Sequence, residues 1–174
     1  VAAWATALDQ RGGPIALALT RQNVPVLAGT ADLAGSGTPR GGYVLSDASP
    51  DGDDPDVVIV ATGSEVQLAV AAADELAADG VHARVVSMPC LEWFDTQPQE
   101  YRDSVLPPSV RSRVAVEAGS PLSWWRAVGD LGRVVGIDHY GASADQATLF
   151  EEFGITTAAV VAAARETAAA SAAV

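Results

Sequence analysis

Between Val57 and Met88 the hydrophobic period of the chain changes twice, and this limits the available folds more than any other feature. Val57 to Ala61 is an unbroken run of valine, isoleucine and alanine, the composition of a strand covered on both faces. Thr62, Gly63 and Ser64 then turn the chain into a helix, in which Val66, Val70, Ala73 and Leu76 recur at helical spacing until Gly80. Ser64 with Gln67 three positions later fits a capping box. His82 to Met88 is a second strand run. A strand, a helix and a strand within about thirty residues predict a parallel pair joined by a right-handed crossover.

The same theme recurs downstream, less regularly. Gly42 to Leu45 reads as a short strand, followed by the acidic loop Ser46 to Asp56. Pro89 to Pro108 reads as loop and short helix anchored by Trp93, Phe94 and Tyr101, and Arg113 to Ala118 as a strand. A helix start at Ser123 to Val128, with Trp124 and Trp125, precedes a last strand at Val134 to Asp138. Two helices follow, Asp145 to Phe153 and Thr157 to Thr167, separated by Gly154, and the alanine-rich tail 168–174 is expected to fray. Strands interleaved with helices in this way predict an α/β fold: a three-layer, open, mostly parallel sheet with helices on both faces.

The first forty residues fit that unit less well. Val1 to Gln10, with Trp4 and Leu8 one turn apart, reads as a helix tail, and Pro14 to Thr20 alternates bulky and small residues as a strand with one buried face would. Ala28 to Gly42 contains five glycines and Pro39, a composition that suits a flexible connection. The expected division is therefore 1–27 as a remnant of a preceding domain, 28–42 as a glycine-rich linker, and 43–174 as the main domain. Because the chain starts at Val1 and its one methionine is Met88, it is expected to be processed or a fragment.

Charge narrows the function. Across 174 residues, 22 acidic side chains against 10 basic ones give a net charge of -12, which opposes binding to nucleic acid or to an anionic membrane. Every basic residue is arginine, so lysine Schiff bases, P-loop lysines and lysine general bases are excluded. A single cysteine, Cys90, cannot form an internal disulfide; with no apolar stretch read as long enough to span a bilayer, a cytoplasmic location is expected.

Several residues are candidates for chemistry. Arg21 follows the expected strand 14–20, where a guanidinium either closes a loop by a salt bridge or holds a phosphate or carboxylate bidentately. The corner Thr62-Gly63-Ser64-Glu65 has the shape of an anion site at a helix start, although Ser64 and Glu65 favour a structural role. Asp51, Asp53, Asp54 and Asp56 imitate part of a calcium loop but lack the glutamate at its twelfth position. His139 follows the last strand and could serve as acid, base or anion contact, yet neither Asp138 nor Ser143 gives it a recognisable triad; Cys90 likewise lacks a visible partner. No residue is assigned as catalytic, cofactor-binding or metal-binding.

Six strings, in order and spacing, carry a resemblance: Ala18-Leu19-Thr20-Arg21-Gln22-Asn23, Arg40-Gly41-Gly42-Tyr43-Val44-Leu45, Ala61-Thr62-Gly63-Ser64-Glu65-Val66, Arg84-Val85-Val86-Ser87-Met88-Pro89, Arg113-Val114-Ala115-Val116-Glu117-Ala118 and Phe150-Glu151-Glu152-Phe153-Gly154. Together they closely resemble the C-terminal portion of transketolase. The resemblance implies a homodimeric enzyme of the pentose phosphate pathway, dependent on thiamine diphosphate and a divalent metal (Mg2+ or Ca2+), that moves a two-carbon ketol unit between phosphorylated sugars. It implies that 1–27 ends the middle, pyrimidine-binding domain, that the third domain begins at Tyr43, and that Arg21 contacts the sugar phosphate. Thr20 keeps the hydroxyl of the serine common at that position. The family's Gly-Asp-Gly and paired asparagines are absent, since Asn23 is the one asparagine, and the cofactor-activating glutamate is also missing. The chain alone is therefore expected to be inactive and to contribute a phosphate contact with dimer and interdomain packing. Asp145 stands where the family usually has proline, which bears on the helix start. The alternatives are the third domain of a related thiamine enzyme, such as a 2-oxo acid dehydrogenase component or a deoxyxylulose phosphate synthase, and a non-catalytic α/β assembly or ligand-sensing module.

Overall fold

The computed structural model describes residues 1–10, 12–50 and 53–173. Helix α1 spans Ala2–Asp9 and α2 spans Thr30–Gly37, continued by a 3-10 turn at Thr38–Arg40. Strand β1 (Tyr43–Asp47) and β2 (Val57–Ala61) precede a 3-10 turn at Gly63–Glu65, helix α3 (Val66–Ala78) and β3 (Ala83–Ser87). Then come α4 (Leu91–Asp95), α5 (Gln99–Val105), β4 (Arg113–Val116), a 3-10 turn at Pro121–Ser123, α6 (Trp125–Val128) and β5 (Arg133–Val135). Helices α7 (Gln146–Glu152) and α8 (Thr157–Ala172) complete the order.

The five strands form one sheet in the order β1-β3-β2-β4-β5. All pairings are parallel except that of β1 with β3, in which Tyr43 lies opposite Ser87 and Asp47 opposite Arg84. The open, mostly parallel, three-layer fold expected from the sequence is the one formed. Every residue of β2 is buried, which is why that segment carries no polar alternation. Val57, Ile59 and Ala61 face α3 and α8, while Val58 and Val60 face Phe94 of α4, Val105 of α5 and Val128 of α6. Helix α3 ends in a Schellman motif: Val81 N–H donates to Leu76 O and Gly80 N–H to Ala77 O, with Gly80 at φ +77.

Several local expectations are corrected. Residues 14–20 form no strand; Ile15 and Leu17 are half-buried and Leu19 is 71% exposed. Alternation supplies a period but not a partner, and among the described residues no neighbouring strand offers that backbone a ladder. The flexible connection expected across 28–42 is instead α2 and its 3-10 turn, with Gly37, Thr38, Gly41 and Gly42 buried. Glycine here answers close approach: a Cβ at Gly37 would lie 2.3 Å from the Tyr43 ring. The Ser64–Gln67 capping box does not form, because Ser64 lies inside the 3-10 turn and its hydroxyl is engaged elsewhere.

The alanine tail, expected to fray, is helical to Ala172, in line with the high helix propensity of alanine. Asp145 caps α7 by accepting from Thr148 N–H at 3.1 Å, and the Thr148 backbone and hydroxyl hold its carboxyl below the usual carboxylate range. By length and hydropathy residues 146–172 could pass for a membrane-crossing helix, contrary to the sequence reading. In the fold they are two helices broken at Gly154 (φ +67), and α8 buries Val160, Val161, Ala164 and Thr167 in the core.

Candidate functional site at the carboxyl rim of the sheet

The chain leaves β2 through α3 to reach β3 on one side, then returns past β2 to β4 on the other. The carboxyl ends of β2 and β4 therefore flank a topological switch point, where open α/β sheets leave a crevice. Residues 12–27 run across this rim as an extended arm. Ala16 of the arm, with Thr62, Cys90, Glu117 and Trp124, lines a hollow of about 310 Å³. Val24 to Leu27, with Gly63, Ser64 and Ser87, line a second hollow, also of about 310 Å³.

The arm is tied down between these hollows. Thr20 Oγ1 accepts from Gln22 N–H at 3.3 Å, closing a tight turn around Arg21. The Gln22 side-chain amide donates to Ser64 Oγ at 3.1 Å, and Ser64 Oγ donates to Glu65 Oε1 at 2.5 Å. Gln67 holds the same corner by donating to Ser64 O at 3.0 Å. Glu65 is only 5% exposed, and its Oε1 is engaged by the Ser64 hydroxyl rather than by solvent. The corner considered as an anion site thus presents a carboxylate, and its hydroxyl is committed to the arm.

Arg21 is exposed, and among the described residues it makes no hydrogen bond or ion pair with a protein group. Other arginines are engaged. Arg84, Arg111, Arg126, Arg133 and Arg165 pair with Asp47, Asp130, Asp95, Glu166 and Asp79. Arg40 lies over the Tyr101 ring at 4.5 Å, and Arg102 donates to Gln99. Arg113 donates to the carbonyls of Val110, Ala127, Leu106 and Pro107. Arg21 is thus a guanidinium with its donors available, at the rim where ligands of such sheets collect.

The remaining candidates lie apart. His139 is exposed, stacked edge-on against Phe153 at 4.8 Å, with Nδ1 2.8 Å from Tyr140 O; among the described residues no hydrogen bond joins it to Asp138 or Ser143. Burial raises the Cys90 thiol pKa and Glu92 adds to the rise, which lowers the thiolate fraction. Asp51 lies outside the described residues; Asp54 accepts from Ser109, and Asp56 accepts from His82 N–H at 2.7 Å. Trp124 is buried and donates to Glu117 Oε2 at 2.7 Å, whereas Trp125 is half-exposed. Sequence reasoning missed the contact of Gln22 with Ser64, which lies 42 positions away; no local pattern encodes it.

An open, doubly wound sheet with an arm seated on its carboxyl rim places the molecule among α/β domains that present their working edge at strand ends. A family profile described as "Transketolase-like TK C-terminal domain" matches residues 41–156, and the chain belongs to this family. Over 166 residues it is 60% identical to a transketolase of Mycobacterium tuberculosis strain H37Rv, a match covering 93% of this chain and 23% of the relative. Transketolase from Leishmania mexicana superposes with a TM-score of 0.87 at 41% identity, covering 97% of this chain and 23% of that one. Transketolase from Pichia stipitis in complex with sedoheptulose-7-phosphate gives 0.83 at 37% identity, covering 99% of this chain and 24% of that one. The chain thus spans about a quarter of the length of these relatives.

Thiamine diphosphate and a divalent metal, which the family implies, do not fit the donors present here. Among the described residues no three of His, Cys, Asp and Glu come together as metal ligands, and the corner that follows β2 carries the buried Glu65 side chain. No step through the cofactor is assigned to this chain.

Proposed function

We propose that this chain is part of a transketolase, a cytoplasmic, homodimeric transferase of the pentose phosphate pathway that carries a two-carbon ketol unit between phosphorylated sugars. In this reading thiamine diphosphate and Mg2+ or Ca2+ are held by the rest of the parent enzyme. Residues 1–27 close its pyrimidine-binding domain, 28–42 connect, and the sheet from Tyr43 onward is the third domain, serving dimer and interdomain packing. The chain by itself carries no ketol transfer.

Arg21 is the residue proposed to meet the substrate, donating bidentately to the sugar phosphate. The observation that carries this reading is its uncommitted guanidinium at the carboxyl rim, on a turn fixed by Thr20 and Gln22. A charge-assisted hydrogen bond contributes about 1.5 to 3 kcal/mol, so Arg21→Ala in the parent enzyme is expected to raise KM for a phosphorylated ketose by about tenfold to one hundredfold. Steady-state kinetics with a phosphorylated and an unphosphorylated ketose tests it. An equal loss on both substrates, or no loss on either, would remove Arg21 from the phosphate site.

A further inference from the structure

We infer that Ser64 and Glu65 of the sheet domain are positioning residues for substrate phosphate recognition, acting on Arg21 through Gln22. This inference rests on the reading of Arg21 given above.

The hydrogen bonds run in one direction. Ser64 donates its hydroxyl hydrogen to Glu65 Oε1 at 2.5 Å, which leaves a Ser64 lone pair to receive the Gln22 amide at 3.1 Å. The Ser64 hydroxyl is thereby oriented toward the arm and cannot turn away without leaving the Glu65 oxygen without its donor. Glu65 and Ser64 are 5% and 8% exposed, which fixes the receiving end within the sheet domain. The other end is an exposed arm with no strand ladder, whose turn at Arg21 is closed locally by one bond of 3.3 Å to Thr20. The bond from Gln22 to Ser64 is thus the one side-chain hydrogen bond, among the described residues, from the Thr20–Asn23 turn to the sheet domain.

An arginine presents its fork productively only if its backbone is held, because a loose turn spreads the guanidinium over many orientations and the ligand must pay that ordering on binding. The link from Gln22 to Ser64 removes that freedom in advance. It gives the third domain a part in substrate recognition without any contact of its own with the sugar.

The test is Ser64→Ala, Gln22→Ala, Arg21→Ala and the double variant of Ser64 and Arg21 in the full-length parent enzyme, each assayed with a phosphorylated and an unphosphorylated ketose. One lost hydrogen bond corresponds to about fivefold. Ser64→Ala and Gln22→Ala are each expected to raise KM for the phosphorylated ketose by about that factor, lowering the ratio of kcat/KM for the phosphorylated over the unphosphorylated substrate. In the double variant the Ser64 change is expected to add nothing to the loss from Arg21→Ala. Glu65→Gln keeps an acceptor oxygen and is expected to lower the ratio less than Ser64→Ala does. If Arg21→Ala lowers the ratio while both Ser64→Ala and Gln22→Ala leave it intact, the positioning role is overturned and the Arg21 reading stands. If Arg21→Ala leaves the ratio intact, the Arg21 reading itself falls. Losses that are equal for the two substrates, or that add to the Arg21 loss, would show a purely structural role. Gln22→Ala breaks the link from the exposed side, so the test survives a Ser64 variant that folds poorly.

Discussion

Replacing Gly41 with alanine is expected to destabilise the protein by about 4 kcal/mol, the sum of a left-handed backbone penalty and an overpacking penalty. Gly41 has φ +80, a conformation that a Cβ opposes. The added carbon would lie 2.2 Å from Cys90 O and 2.4 Å from Phe94 N. Both are backbone atoms, and they bond to each other at 3.1 Å to start α4. Gly41 O also accepts from Cys90 N–H at 2.9 Å, so the strain cannot be relieved by moving one segment away without losing a hydrogen bond. A fall in the urea midpoint at unchanged slope would report the effect. Gly35→Ala is the matched control, since nothing lies within 4 Å of its Cβ position. A Gly41→Ala variant as stable as that control would mean that the 3-10 turn and α4 are not held together as the structure has them.

A second large loss is expected at Arg113, whose guanidinium reaches four carbonyls around the start of β4. It donates to Val110 O at 2.8 Å, Ala127 O at 2.9 Å, Leu106 O at 3.3 Å and Pro107 O at 2.7 Å. Burial pulls its pKa below the usual arginine value, partly offset by Asp103, yet a guanidinium this basic stays charged. Methionine at 113 would keep much of the packing volume and leave these carbonyls to find water in a partly closed space. The expected cost is about 3 kcal/mol, read by chemical denaturation. Lysine is expected to recover less than half of it, because a single ammonium cannot reproduce a planar fork aimed at separate acceptors. If Arg113→Met proves neutral, those carbonyls are solvated and the arginine is not the staple of that loop.

How much of this was legible depended on the range of the interaction. The valine-rich run at 57–61 marked β2 to the residue, and Gly80 marked the end of α3, because both depend on local composition and backbone conformation. The reversed direction of β1 was not legible in Gly42 to Leu45, since a short apolar run reads the same in either direction. The glycines of 28–42 were misread as flexibility, because composition cannot distinguish a residue that needs freedom from one that needs closeness. At the site, Arg21 stood out through its motif and the family resemblance. The hydrogen bond from Gln22 to Ser64 joins positions 42 apart and left no trace in either segment alone.

The antiparallel setting of β1 bears on how such a domain can be assembled. Because Tyr43 lies opposite Ser87, the chain enters the sheet at the rim across which residues 12–27 already run, and α2 with its turn bridges the gap with Ala34 packed against the core. The arm's connection and the carboxyl ends of β2, β3 and β4 therefore meet at one edge of the sheet. The close fits at Gly37 and Gly41 hold α2 and the 3-10 turn against Tyr43 and α4, and the Thr20-Arg21-Gln22-Asn23 turn is tied to the same edge through Ser64.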